Sequence, residues 1–326
     1  MSAVRARALG CGHYLPERVI TNDELSQRLD TSDEWIRART GIGQRHIAAE
    51  GQLTSDLATR AADRALSAAG IDAADIDAIV IATATPDQTF PSTATRVQHM
   101  LGMGNGFAYD LQAVCAGFIY AVASANGLIQ SGMADRVLVI GAETFSRILD
   151  WNDRSTCVLF GDGAGAIVLE RSEGDGTVAD RGILGVCLHS DGSYNRILHV
   201  SGGPSEAALG VGVLKMEGRE VFRHAVIKLA EVADEVMQKV GVSSDEIDWI
   251  VPHQANLRII ESTAKKAGVP MSKVIVTVDR HGNTSAASIP LALSCGIEDG
   301  RIRPGDLLLM EAIGGGLAWG SALIRW

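Results

Sequence analysis

Residues 70–80 read GIDAADIDAIV, and residues 241–251 read GVSSDEIDWIV. In each, a glycine closes a helical stretch, an acidic turn follows, and an apolar run of strand length begins. Ile76 and Ile247 are 171 residues apart. A second pair of strand-like runs, RVLVIGA from Arg136 and DLLLMEA from Asp306, is displaced by 170 residues. Two matches at a nearly constant offset argue for duplicated halves. The division is placed in the charged, glycine-containing turn LERSEGDGTVADRG between Leu169 and Gly182, giving halves of residues 1–172 and 173–326. Between these landmarks, β-branched runs alternate with longer alanine-rich stretches, the pattern of an α/β protein whose sheets are covered on both faces. Strand ends from two such halves should meet about a pseudo-two-fold axis, so a site beyond their carboxyl ends would draw on both.

Composition narrows the function classes. The 326 residues are 46% hydrophobic and 21% charged, and the mean hydropathy is +0.13, enough to bury a sizeable core. No run reaches the roughly 18 apolar residues of a membrane span, and the opening MSAVRARALGCGHY lacks the apolar stretch of a secretory signal, so the expected location is the cytoplasm. The five cysteines are odd in number and show no CxxC spacing, which suggests neither a disulfide framework nor a zinc site. A net charge of -10 and a pI near 5.3 oppose general affinity for nucleic acid or anionic membrane, so an acidic partner would need a local basic patch. GDGAG and GGG lack the GxxxxGK[ST] spacing of a phosphate loop, and no metal-ligand spacing appears.

Three residues carry the chemical reading. Cys115 opens CAGFIYAVASANGLI, a stretch apolar nearly all round that reads as a buried helix. At a helix start, unpaired N–H groups and the positive end of the dipole favour thiolate, which would make Cys115 a nucleophile. Taken alone, a free cysteine more often only packs, and Cys11, Cys157, Cys187 and Cys295 keep that reading. In the second half, the strand IDWIV runs into PHQAN and places His253 past its carboxyl end. VIVTVDRHGNTSAAS puts Asn283 in a turn before another alanine-rich helix. Ala286 is the counterpart of Cys115 at the 171-residue offset, so the two turns should face each other and bring thiol, imidazole and carboxamide together. Papain-like hydrolases also present Cys, His and Asn in this chain order. They carry a tryptophan just after the nucleophile, where this chain has Ala116 and Gly117, and they lack duplicated halves. A non-enzymatic binding protein is opposed by the presence of all three residues.

The strings TSDEWIRARTGI, AVCAGF, FGDGAGA, VPHQANLRII, HGNTSAAS and GGGLAWGSALI, spread over the whole chain, resemble the β-ketoacyl-acyl-carrier-protein synthase III family. The resemblance implies a thiolase-like fold with two duplicated halves in αβαβα layers, usually as a homodimer. It implies decarboxylating condensation of a short acyl-coenzyme A, acetyl first among candidates, with malonyl-acyl-carrier-protein. The alternative is a related condensing enzyme that uses other acyl primers in secondary metabolism. No cofactor or metal is implied, coenzyme A entering as a substrate thioester.

Carried over by position, the resemblance makes Cys115, His253 and Asn283 catalytic, with the N–H groups of Cys115 and Gly315 as oxyanion hole. It places coenzyme A against Trp35, Arg39, Arg154, Gly218, Arg219, Ala255 and Asn256. Trp35 and Arg39 lie four apart after the capping residues Thr31 and Ser32 and so share a helix face. The acyl pocket would be formed by Phe145, Phe160 and, from a partner subunit, Phe90. The acyl-carrier protein would meet Arg223, Gln254, Arg258, Lys265 and Lys266, with Arg258 and Lys265 seven apart on one helix face. The sequence departs from the common family pattern at Arg219, where asparagine is frequent, and at Phe145, where a smaller leucine is.

Overall fold

A computed structural model describes residues 3–205 and 210–326 of the chain. Residues 1–2 of the first half and 206–209 of the second lie outside the described residues. The first half runs β1 (Ala3–Tyr14), β2 (Arg18–Thr21), α1 (Asn22–Ser26), α2 (Asp33–Thr40), β3 (Gln44–Ile47), α3 (Thr54–Ala69), β4 (Ala78–Ala82), α4 (Thr93–Met100), β5 (Phe107–Leu111), α5 (Gly117–Gln130), β6 (Arg136–Glu143) and β7 (Gly163–Gly174). The second continues with β8 (Gly182–Ser190), β9 (Leu198–Gly202), β10 (Val211–Met216), α6 (Gly218–Val240), β11 (Trp249–Pro252), α7 (Leu257–Lys266), α8 (Val278–His281), α9 (Ser288–Glu298), β12 (Leu307–Gly314) and β13 (Ala318–Arg325). The chain leaves the first sheet at Gly174 and enters the second at Gly182.

The first sheet has the order β1-β7-β6-β4-β5, antiparallel across β1/β7/β6 and parallel across β6/β4/β5. The second repeats it as β8-β13-β12-β11, with Val274 bridging β11 in parallel where β5 stands in the first. The repeat holds at the level of single atoms. Ala78 pairs with Val137 and Trp249 with Leu308, a shift of 171 residues on both strands. The Asp77 carboxylate accepts from the Arg136 N–H at 2.9 Å, and its counterpart Asp248 accepts from the Leu307 N–H at 2.8 Å. Helices α3 and α6 both end on a left-handed glycine, Gly70 at φ 69° and Gly241 at φ 83°, before the acidic turn.

Strand alternation sorts the side chains into five layers. Val80 and Val139 of the first sheet, and Leu308 and Met310 of the second, face a shared core built on Phe118, Ile119 and Val122 of α5 and Ile289 and Leu293 of α9. Ile79, Ile81, Leu138 and Ile140 point outward against Leu57 and Leu66 of α3 and Val97 of α4. Ile250, Leu307, Leu309 and Leu323 do the same beneath Val232 and Val236 of α6 and Ile260 of α7. The two central helices start close together. A Cβ on Gly117, the first residue of α5, would lie 3.4 Å from the Ala286 Cβ in the turn before α9, and one on Gly141 of β6 would lie 2.2 Å from the Ala286 carbonyl oxygen. No described helix is long and apolar enough to cross a membrane.

Candidate active site

Each half contributes one tight turn before its central helix. Val114–Ala116 leads into α5 and Ser285–Ala287 into α9, and the first residue of each has positive φ, 48° at Val114 and 50° at Ser285. A β-branched residue seldom adopts that conformation, so Val114 stores strain next to Cys115.

Cys115 is 4% exposed. Burial pushes its thiol up to about 12, the Glu143 carboxylate adds to the rise, and Ser285 opposes it. The expectation of a thiolate favoured by the helix start is thus outweighed at rest, because desolvation of the charged form exceeds what the turn supplies. Gly314 packs on the Cys115 turn so closely that a Cβ there would lie 2.7 Å from the Cys115 nitrogen. This brings the 314–316 turn, and with it Gly315, beside Cys115.

Asn283 is held from both ends. Its N–H donates to the Leu159 carbonyl at 2.8 Å, and its own carbonyl accepts from the Gly161 N–H at 3.0 Å. Its Oδ1 accepts from the Ser285 N–H at 2.9 Å, leaving the Nδ2 hydrogens to donate. Fully buried Arg45 of β3 donates to the Val158 carbonyl at 2.6 Å and to the Asn22 Oδ1 at 2.9 Å, bracing the strip that pairs with Asn283. His253 follows β11, and its N–H donates to the Glu311 carbonyl at 2.8 Å. Its Nδ1 meets the Ser288 hydroxyl at 2.7 Å, and burial lowers the imidazole to about 3, so it is neutral.

Cys115, His253 and Asn283 line one cavity of about 840 Å³, together with Phe160 and all seven expected coenzyme A residues: Trp35, Arg39, Arg154, Gly218, Arg219, Ala255 and Asn256. Ser32 caps α2 by accepting from the Trp35 N–H at 3.1 Å. The Arg39 guanidinium stacks 4.3 Å from the Trp35 ring centre and Arg154 5.3 Å from it, while Arg154 pairs with Asp30 at 2.9 Å. Asn256 caps α7, its Oδ1 accepting from the Ile259 N–H at 2.9 Å. A smaller cavity of about 320 Å³ is lined by Val114, Phe145, Leu198, Leu214 and Gly315. Phe145 and Phe160 stack at 4.5 Å between ring centres, so the aromatic pair stands where the two cavities adjoin. Phe90 lines neither cavity and is 82% exposed.

Arg258 lies at the mouth of the larger cavity, 5.7 Å from the Phe222 ring centre, and Lys265 and Lys266 form the last turn of α7. Arg223, on α6, pairs with Glu220 at 2.5 Å. Gln254 corrects the expectation of a carrier-protein contact. It is 1% exposed, its Nε2 donates to the Pro252 and Ile275 carbonyls, and its Oε1 accepts from the Thr277 and Val278 N–H groups. A side chain with its hydrogen bonds satisfied under the surface is a brace, not a docking residue. Sequence reasoning also passed over Ser288, Phe222, Leu198 and Met216, whose places depend on segments that meet only in the folded chain.

Residues 109–192 match the family model for 3-oxoacyl-(acyl-carrier-protein) synthase III, and residues 237–326 match the model for its C-terminal part. The chain is 65% identical to the beta-ketoacyl-(acyl-carrier-protein) synthase III of Ruegeria sp. (strain TM1040), covering 99% of both sequences. The solved 3-oxoacyl-(acyl-carrier-protein) synthase III from Aquifex aeolicus VF5 superposes with a TM-score of 0.92 at 46% identity, over 98% of this chain and 100% of that one. That from Pseudomonas aeruginosa PAO1 gives 0.93 at 42% identity, over 99% of this chain and 98% of that one.

Proposed function

Because the chain belongs to the β-ketoacyl-acyl-carrier-protein synthase III family, we propose that it condenses a short acyl-coenzyme A with malonyl-acyl-carrier-protein, releasing carbon dioxide and giving 3-ketoacyl-acyl-carrier-protein. Acetyl-coenzyme A is the favoured primer, since the smaller cavity has room for a short chain and Phe145 fills part of its wall. The meeting of Cys115, His253 and Asn283 at the inner end of a cavity ringed by arginines and Trp35 carries this reading.

In the first half-reaction the Cys115 sulphur attacks the acyl carbonyl. The N–H groups of Cys115 and Gly315 hold the oxyanion, and coenzyme A leaves as the thiol. In the second, the malonyl thioester oxygen accepts from the His253 Nε2–H and the Asn283 Nδ2–H. Carbon dioxide departs, its bonding electrons form an enolate, and the enolate carbon attacks acyl-Cys115. Taking up one proton then restores the thiol. Because Asn283 and His253 are oriented before substrate arrives, they stabilise the new charge with little reorganisation. These steps are carried by the chain's own residues and the two thioester substrates.

Of the four arginines that line the cavity, Arg39, Arg154 and Arg219 would meet coenzyme A, and Arg258 would receive the carrier protein with its phosphopantetheine. A homodimer suits the open edge of β5, where half-buried Phe107 and Tyr109 stack at 6.4 Å, and would cover Phe90. A cytoplasmic place suits the free cysteines and the carrier-bound substrate. Incubation with acetyl-coenzyme A followed by peptide mass mapping should find one acetyl group, on Cys115. Acetyl on Cys157 or Cys295 with Cys115 unmodified would overturn the assignment.

A further inference from the structure

The thiol proton of Cys115 has to go somewhere when the sulphur attacks, and His253 is badly placed to take it. Its Nδ1 is engaged by the Ser288 hydroxyl, a contact that suits an Nε2 proton, and burial disfavours the cationic ring. A different group faces the thiol. Glu143, the last residue of β6, is 0% exposed. Its carboxylate accepts from the Thr85 hydroxyl at 2.6 Å, from the Thr83 hydroxyl at 3.3 Å and from the Ala84 N–H at 3.1 Å. From the side of α9 the Ser285–Ala287 turn packs on β6, where a Cβ on Gly141 would lie 2.2 Å from the Ala286 carbonyl oxygen, and Ser285 and the Ala286 N–H bear on the carboxylate. The same turn packs on the start of α5 beside Cys115, a Cβ on Gly117 lying 3.4 Å from the Ala286 Cβ, and the fully buried Ser285 hydroxyl there has no hydrogen-bond partner. Among the described residues, Glu143 is the carboxylate whose charge reaches Cys115. Its counterpart at the 171-residue offset is Gly314, so this carboxylate belongs to one half alone.

We propose that Ser285 and Glu143 form the relay that takes the Cys115 proton during acyl transfer. The thiol proton passes to the Ser285 oxygen as the Ser285 proton passes to the Glu143 carboxylate. The sulphur then forms its bond to the acyl carbon while the bond from that carbon to the coenzyme A sulphur breaks. The proton returns from Glu143 through Ser285 to the departing coenzyme A thiolate, so the enzyme gains and loses none. Burial raises the Glu143 carboxyl to about 7, which suits a group that both takes and returns a proton near neutrality. The relay rests on Cys115 being the acylated residue. Acylation of the unaltered enzyme tests that premise, and the variants test the relay.

The measurement is single-turnover acetylation of Cys115 by acetyl-coenzyme A, followed by intact mass between about pH 5.5 and pH 9, a span that brackets the Glu143 carboxyl. Glu143→Gln keeps a group able to accept from Thr85 and Ala84 but cannot take a proton. Ser285→Gly removes the hydroxyl at a residue whose φ of 50° glycine tolerates, and it keeps the N–H that holds Asn283. Both should acylate about 10²-fold more slowly at pH 7 and lose the rise in rate near neutrality. Glu143→Asp should recover part of the rate and the rise. Malonyl decarboxylation, assayed separately, should fall far less in both. A folded Glu143→Gln enzyme with the unaltered rate and pH profile would overturn the relay. So would equal loss of both half-reactions in Glu143→Gln and Ser285→Gly with the profile unchanged, since that is the mark of a purely structural role.

Discussion

The Nδ1 of His253 lies 2.7 Å from the hydroxyl of Ser288, the first residue of α9, and the same oxygen lies 3.3 Å from the Gln254 N–H. With the Gln254 N–H donating to it, the Ser288 oxygen directs its own proton to Nδ1. That arrangement fits an imidazole whose Nδ1 accepts from the Ser288 hydroxyl and whose proton sits on Nε2, facing the cavity as a donor. Ser288→Ala should release this tautomer and slow malonyl decarboxylation by about tenfold or more, while acylation of Cys115 continues. An unchanged decarboxylation rate would show that Ser288 does not orient His253.

Charge develops in different places in the two half-reactions. During acyl transfer it faces backbone N–H groups, and during decarboxylation it faces His253 and Asn283. Asn283→Ala and His253→Ala should each lose about 10²- to 10³-fold in release of labelled carbon dioxide, yet still form acyl-Cys115 detectable by mass. The roles would be reversed if Asn283→Ala decarboxylated normally and failed to acylate.

Arg258 stands at the cavity mouth on α7, the helix whose last turn carries Lys265 and Lys266, on a protein of net charge -10. A local basic strip of this kind attracts an acidic partner that the protein as a whole repels. Arg258→Glu should raise KM for malonyl-acyl-carrier-protein about tenfold or more and change that for acetyl-coenzyme A much less. Steady-state kinetics with each substrate varied in turn distinguishes this from equal loss, which would mark a general active-site defect.

Glu311 is 2% exposed, its Oε2 has no hydrogen-bond partner, and burial raises its carboxyl to about 8. The folded chain therefore holds a proton that the unfolded chain releases near the ordinary glutamate pKa. Between those two values the folded state binds more protons, so stability falls as pH rises. Glu143 contributes in the same direction up to about 7. Glu311→Gln should flatten the decline and be more stable than the unaltered protein above pH 8, by roughly 2–4 kcal/mol. Denaturant titrations at pH 6 and pH 8.5 measure the difference, and parallel pH profiles for the two proteins would refute it.

Much of the architecture is legible in short segments because the information is local. A helix end, its left-handed glycine, an acidic turn and a strand follow one another within about a dozen residues, so the motif at Gly70 and its copy at Gly241 announce the repeat unaided. That repeat persists in the matched registers of β4 with β6 and of β11 with β12, and in the paired turns at Val114 and Ser285. Cys115, His253 and Asn283 could be singled out for the same reason, since each sits where a strand or helix terminates. The remainder depends on approach between distant segments. Gln254 sits within the PHQAN string like its neighbours Ala255 and Asn256, but only folding turns it inward to brace Pro252, Ile275 and Thr277. Ser288 reaches His253 across 35 residues, and Glu143 reaches Thr85 across 58. The protonation of Cys115 divides the same way. Its helix start is written in the residues beside it, whereas the desolvation that keeps it a thiol comes from two sheets and two turns closing over it, and that loss of water is the larger effect.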